Sequence, residues 1–152
     1  MLARIRKAMD EREEGFTLIE LLVVMIIIGI LAAIAIPVFL SQRSKARDTS
    51  TKADVSTLGK ELATYYVDGA GPAIVTLTAA AGTTPASATV TDAGGYTSGT
   101  VKLSNGTTQP AANATKSLGS STAWCVSLTN PDGKQKDYKY SADSGLQSGT
   151  CT

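Results

Sequence analysis

Residues 15–40 read GFTLIELLVVMIIIGILAAIAIPVFL, with one acid, Glu20, at the head of an unbroken apolar or small-residue run from Leu21 to Leu40. Twenty residues of helix rise about 30 Å, the thickness of a bilayer's hydrocarbon core. The stretch is therefore long enough to span a membrane. Glu20 sets it apart from a plain anchor, because a carboxylate in lipid is costly unless it is neutralised or paired. From Thr17 to Gln42 it is the only ionisable side chain, so charge is confined to the flanks.

On the N-terminal side lies a charged segment holding Arg4, Arg6, Lys7 and Arg12 against Asp10, Glu11, Glu13 and Glu14. The basic residues nearest the start agree with an N-inside orientation, while Arg43, Lys45 and Arg47 beyond the run pull the other way. An ordinary secretory signal is the competing reading, since Ala33-Ile34-Ala35 mimics a small-x-small cleavage site. Against it, the apolar run exceeds the usual length and continues into a helical pattern. Val55, Leu58, Leu62, Tyr65 and Tyr66 recur at three- and four-residue spacing, and the next breakers are Asp68-Gly69-Ala70-Gly71-Pro72. One helix is expected from Thr17 to Tyr66, roughly 75 Å at 1.5 Å per residue, with Pro37 bending or loosening it. Residues 41–54 read as a polar transition zone with little to bury. Ala32, Ala33 and Ala35 permit close approach of neighbouring helices.

Beyond Gly71 the chain turns to Thr, Ser, Ala and Gly. Candidate strands are Ile74–Thr78, Ala88–Thr91, Tyr96–Ser104, Ala123–Thr129 and Tyr138–Ser141, separated by the turn signals Gly94-Gly95, Asn105-Gly106 and Asn130-Pro131-Asp132-Gly133. Val126 and Leu128 alternate with polar neighbours, as do Tyr138 and Tyr140, so this hairpin should lay one face on the helix stripe and the other in water. Trp124 reads as core or core edge. Residues 79–95 and 104–122 are weakly patterned and read as surface loops. The expected fold class is α+β: a long helical spine with a small antiparallel sheet of three or four strands on its C-terminal half.

Cys125 and Cys151 form an even pair beyond a membrane-inserting segment, which reads as one disulfide in an oxidising compartment, with two free thiols as the alternative. Such a closure contributes on the order of 3–4 kcal/mol in the chain-entropy model and would fold the tail over the last hairpin. Formal charge is only +1 and histidine is absent, which removes His-based triads and the common His metal sites. No enzyme, cofactor or metal site is expected. Lys134, Lys136 and Lys139 offer a weak signal for DNA or a negatively charged surface, against solvated turn charges. Asn105-Gly106-Thr107 and Asn113-Ala114-Thr115 match glycosylation acceptors in Thr-rich segments where chance matches are frequent.

The cluster Gly15-Phe16-Thr17-Leu18-Ile19-Glu20 resembles the class III signal peptide of the type IV pilin family, and Gly29 and Pro37 fall where that family commonly has them. The resemblance implies cleavage between Gly15 and Phe16 by a membrane prepilin peptidase, N-methylation of Phe16, and assembly roles for Glu20, Thr17, Gly29 and Pro37. The helix between Gly29 and Pro37 would partly melt on entry into a filament. It also implies a layout of leader 1–15, membrane and filament-core helix 16–40, amphipathic helix 41–67 and a β-rich region 68–152 closed by the disulfide.

Glu20, one turn from the new α-amine, could pair with its own chain's amine or the next subunit's, fixing axial register. A snorkelling acid with no assembly role is the plainer alternative. The implied function is a structural subunit of a type IV pilus for adhesion, twitching motility or DNA uptake. A pseudopilin of a type II secretion or competence apparatus, or a non-polymerising membrane-anchored binding domain, are the alternatives. Implied partners are copies of itself, minor pilins, the peptidase, an inner-membrane assembly platform and the lipid bilayer. The precursor would sit in the cytoplasmic membrane with its N-terminus inside, and the mature subunit in an extracellular fibre.

Overall fold

The structure, a computed structural model, describes residues 15–68, 71–111, 115–116 and 118–152. The charged leader and Asn113 with its acceptor motif therefore lie outside the described residues. Helix α1 runs Leu18–Asp68 and continues through Pro37. The chain forms two compact units, residues 1–40 and 41–152.

In the first unit α1 is apolar on every side, and its large side chains from Leu18 to Leu40 are exposed. No packing within the unit explains this composition; its length and hydropathy suit a membrane span.

The second unit begins with the remainder of α1. Val55, Leu58, Leu62 and Tyr65 fall at helical spacing, so a single stripe is buried and forms one wall of the core. Seven strands complete the unit among the described residues. A three-stranded antiparallel sheet has the order β1 (Ile74–Thr78), β2 (Ser87–Thr91), β3 (Thr97–Lys102). A four-stranded one has the order β4 (Thr115–Lys116), β5 (Cys125–Thr129), β6 (Asp137–Ser141), β7 (Gly145–Ser148). The fold class is α+β, but the strands divide into two sheets where the sequence suggested one. The first sheet contributes Ala88, Val90 and Val101, and the second Val126, Leu128 and Tyr138, to one apolar cluster with the helix stripe and Trp124. Pairing of Val126 with Tyr140 and Leu128 with Tyr138 puts the apolar members of that hairpin on one face.

Further expectations are corrected here. The outer face of β5 does not meet water, because Cys125 and Ser127 are also buried. Cys125 is bonded to Cys151, which draws the end of the chain onto this strand. That end is held by more than the disulfide, since β7 pairs with β6. Nor is the polar zone of α1 free of burial. Asp48, Thr51 and Asp54 are all buried, each used to fix a loop. Asp48 accepts hydrogen bonds from the backbone N–H of Gln135 at 3.0 Å and Lys136 at 3.3 Å. Asp54 accepts from the N–H and hydroxyl of Ser104 at 2.8 and 3.0 Å. Glu61, one more stretch along, accepts from the Ser98 hydroxyl at 2.8 Å. The segment after β3 is accordingly not all surface: Thr107 is buried beside Thr51, and Arg47 donates to the Asn105 carbonyl. The turn between them uses Gly106 at φ 83°, a left-handed conformation that favours glycine.

Aromatic side chains close one side of the core. Trp124 is stacked between Tyr66 and Tyr140, with ring centroids 6.4 and 5.9 Å away. Tyr140 in turn lies against Gly59, where an added Cβ would come within 2.8 Å of the Tyr140 Cβ and closer still to its ring. The clash falls at the root of the tyrosine, which cannot swing aside as a side-chain tip can. Gly59→Ala should therefore lower stability by about 1–3 kcal/mol through overpacking, although helix propensity alone would raise it by about 1 kcal/mol. Denaturation of the full chain in detergent micelles would decide the sign; a stabilised variant would show that Tyr140 moves freely.

Two tyrosines set an alkaline limit. Burial, with Tyr65 beside it, holds the Tyr66 hydroxyl above its ordinary range, and burial together with the Asp48 carboxylate does the same for Tyr138. Because the folded state keeps these protons longer than the unfolded chain, their contribution is complete below the ordinary value of 10.0 and is lost as pH rises through the raised values. The thermal midpoint should hold level to about pH 9 and fall above 10. Tyr66→Phe and Tyr138→Phe should each flatten that fall, and an unchanged slope in both variants would refute this origin.

Candidate functional site

Gly15, Phe16 and Thr17 precede the first turn of α1 and are non-helical. Four N–H groups at a helix start have no partner within the helix, and the sequence Thr17-x-x-Glu20 supplies partners in the way a capping box does. The Thr17 hydroxyl accepts from the Glu20 N–H at 3.3 Å, while Glu20 Oε2 accepts from the Thr17 N–H at 2.8 Å and from its hydroxyl at 2.7 Å. Leu21 N–H then bonds to the Thr17 carbonyl, opening the helical ladder. The structure thus brings Thr17 and Glu20 together as a reciprocal pair. Their spacing alone carried that signal, although the sequence reading sought the partner of Glu20 in an α-amine.

The pair leaves chemistry available. A carboxylate has about four acceptor sites, and both cap bonds fall on one oxygen. Glu20 is exposed, as is Phe16, which is 89% accessible. An acid so placed, one turn from the peptide bond between residues 15 and 16, can accept a cation without leaving its cap.

Gly15 and Gly29 add an observation of a different kind. Among the described residues, nothing beyond the chain neighbours and the helix's own backbone lies within 4 Å of where a Cβ would stand at either, and neither has a positive φ. No packing among the described residues calls for glycine at these positions. Gly29 and Pro37 sit in the exposed apolar part of α1 and make no contact with Glu20 through any described hydrogen bond.

Elsewhere the predicted residues separate. Lys134 and Lys136 are exposed on the β5–β6 turn, whereas Lys139 lies within β6 on the face opposite Tyr138 and Tyr140. Asn105 is exposed, but Thr107 of the same acceptor triplet is buried and hydrogen-bonded. Asp143, in the β6–β7 turn, is held below the usual carboxylate range by the hydroxyls of Ser141 and Ser144, a turn-stabilising arrangement. Among the described residues no three His, Cys, Asp or Glu side chains are grouped closely enough to hold a metal. A cleft lined by Leu77, Ala86, Leu103 and Thr107 carries no ionisable side chain.

Comparison with known proteins points to the same end of the chain. Residues 12–36 match the prokaryotic N-terminal methylation motif. The type II secretion system core protein G of Pseudomonas aeruginosa is 40% identical over 57 residues, 38% of this chain and 40% of that protein. The type IV major pilin protein PilA of Myxococcus xanthus is 49% identical over 49 residues, 32% of this chain and 22% of that protein. The type IV wide pilus major component PilA4 of Thermus thermophilus is 47% identical over 55 residues, 36% of this chain and 42% of that protein. The chain thus spans well under half the length of each of these relatives, and no solved structure matches it significantly. The methylation motif and the pilin and secretion-protein relatives make the N-terminal part of this chain similar to type IV pilin-family proteins, and the α+β fold built on one long helix is a pilin-like arrangement.

Proposed function

We propose that the chain is a structural subunit of a type IV pilus, held in the membrane by residues 16–40 and then assembled into a surface fibre. The observation that carries this reading is the capped Glu20 at the head of an uncovered apolar helix, directly after Gly15-Phe16. An apolar surface of this extent needs lipid before assembly and other helices after it. Identical helices related by a head-to-tail operation that does not close generate a helical filament.

Cleavage after Gly15 removes the leader 1–15 and leaves an α-amine on Phe16, one turn from Glu20. Glycine at residue 15 suits a protease cleft that admits extended backbone without a side chain, which agrees with the open space around it. The peptidase that makes the cut, methylation of Phe16 and an inner-membrane assembly platform belong to this reading, as does an N-inside precursor. With the cap occupying one carboxylate oxygen, Glu20 receives the amine of a neighbouring subunit on the other. That pairing fixes axial register, because a subunit displaced by one turn leaves the acid unpaired in an apolar surrounding. Within the fibre, Thr17 keeps the helix start formed, Gly29 permits close helix approach, and Pro37 marks where the helix can open. Residues 41–67 and 68–152, closed by the Cys125–Cys151 bond, form the outer part.

A second reading, a pseudopilin of a type II secretion apparatus, is favoured by the relatives named type II secretion system core protein G. Long surface fibres seen by electron microscopy distinguish the first from the second. N-terminal mass spectrometry of sheared fibres tests processing, methylation and assembly at once, and a fibre fraction lacking a chain that begins at Phe16 overturns the proposal.

Two substitutions divide the steps. Glu20→Ala should leave cleavage intact but reduce incorporation at least about tenfold, since a half-made buried pair costs about 3–5 kcal/mol. Glu20→Gln, which can still accept the cap bonds, should be nearly as deficient if the charge sets register; normal fibre levels from cells expressing either variant alone would contradict the role. Gly15→Phe should instead accumulate full-length precursor in the membrane fraction, and recovery of chains beginning at Phe16 would dismiss the steric argument.

A further inference from the structure

β1 (Ile74–Thr78) stands at one end of the three-stranded sheet and pairs with β2 alone. In an antiparallel ladder alternate residues turn both backbone groups to the same neighbour, so one known bond fixes the direction of the rest. The Leu103 N–H donates to the Ala86 carbonyl, and the register continues through Ala88 with Val101 and Val90 with Gly99, so Ala88 and Val90 turn to β3. Ser87, Thr89 and Thr91 therefore turn to β1, where they meet Thr78, Thr76 and Ile74. Val75 and Leu77 are left with their N–H and carbonyl groups pointing out of the sheet. Ala73, next in the same alternation, donates its N–H to the Leu118 carbonyl and not to β2, as this phase requires. Among the described residues no such partner reaches Val75 or Leu77.

An open edge is a template for another strand, and proteins blunt such edges with charge, proline, bulges or short length. The other sheet ends carry these devices. β3 finishes at exposed Lys102 and has a bulge in its pairing with β2, β4 is only Thr115–Lys116, and the short β7 begins at Gly145 and stops before Gly149, both at positive φ. β1 has none of them. All its residues but Leu77 are β-branched, its register with β2 is unbroken, and no charged residue lies between Asp68 and Asp92. Ile74, Thr76 and Thr78 are exposed, whereas Val75 and Leu77 rest half-buried against the core.

We propose that β1 is a contact between copies of this chain, pairing antiparallel with β1 of a second copy about a two-fold axis at Thr76. Val75 then lies opposite the second copy's Leu77, and Leu77 opposite its Val75, so the free groups of both edges bond to one another. A second copy is the occupant that the charge pattern favours: like edges are ordinarily kept apart by repulsion, and here neither side carries a charge to repel. Side chains agree on both faces, half-buried Val75 meeting Leu77 and exposed Ile74 meeting Thr78, with Thr76 facing its own copy on the axis. Strands of this length make a small interface, so the pairing is reversible. It is separate from the apolar helix and does not depend on how residues 16–40 are used.

Thr76→Cys places two thiols opposite one another at a Cα separation of about 4.5 Å, within reach of a disulfide. In detergent micelles, mild oxidation of the full-length Thr76→Cys variant should give a linked dimer at least about tenfold faster than the Thr100→Cys variant, whose position is exposed on β3, away from the axis. Amide hydrogen exchange of the unsubstituted chain supplies a second reading. Where half of the copies are paired, Val75 and Leu77 should exchange about half as fast as in dilute chain, and Thr76, already bonded to β2, should be unchanged. Thr76→Lys, at an exposed position, sets two like charges on the axis and should remove that concentration dependence. Equal cross-linking of the two cysteine variants overturns the pairing. So does protection at Val75 and Leu77 that is the same at every dilution, which gives the edge to a segment of the same chain. Concentration-dependent protection that survives Thr76→Lys also refutes it, by moving the contact to another surface.

Discussion

One helix, Leu18–Asp68, has to satisfy two unlike surroundings, and every other feature of the chain follows from where it changes from one to the other. Up to Leu40 its side chains are apolar around the full circumference and uncovered. From Asp48 onward only a stripe is buried, and both sheets are built upon it. A helix of the first kind has no preferred face for a sheet, whereas a helix of the second kind cannot be left bare. The same backbone therefore carries a segment that seeks partners outside the chain and a segment that has already found them inside it.

Acids on this helix act by position. Asp48, Asp54 and Glu61 project from the second segment and receive N–H or hydroxyl groups from the β5–β6 turn, the segment after β3 and β3 itself. Each contact gives its donors a carboxylate acceptor, and no buried side-chain nitrogen or oxygen among the described residues is left unsatisfied. Hydrogen bonds to a charged acceptor are about twice as strong as neutral ones, so short loops rich in Thr, Gly and Asn can be anchored with few apolar contacts. Glu20 performs the same elementary act on its own helix start, where the recipient is Thr17. Unlike the other three, it stands at the edge of an apolar surface and retains acceptor capacity.

Much of this was legible in residue spacing. The stripe Val55, Leu58, Leu62, Tyr65 gave the buried face of α1, and alternation around Val126, Leu128, Tyr138 and Tyr140 gave the central hairpin. The observed helix begins and ends within two residues of the expected Thr17–Tyr66. β4 and β7 were not legible, because Thr115–Lys116 and Gly145–Ser148 are too short and mixed to show a period, and they form by pairing against β5 and β6. Division into two sheets is a tertiary outcome that no local pattern encodes. Buried Asp48 and Asp54 were missed for a related reason: in a helix, an isolated acid reads as a solvated side chain, and only the loop donors placed opposite make it structural. At Glu20 the sequence exposed the anomaly of the charge, and the geometry added its cap.

The glycines separate what the chain explains from what it does not. Gly59, Gly99 and Gly133 are each pressed by Tyr140, Glu61 and Asp48 in turn, so their missing side chains are accounted for by contacts within the second unit. Gly29 lies in a helix interior, where glycine is less favourable than alanine by about 0.5–1 kcal/mol, yet no atom would meet a Cβ placed there. Gly15 is equally unconstrained. Gly71 and Gly119, in loops of the second unit, are open in the same way and have no positive φ, so open space alone does not single a glycine out. At Gly29, unlike the loop glycines, a helical cost stands with no contact among the described residues to offset it, and so its requirement, like a cover for the bare circumference of α1, lies outside the chain's own packing.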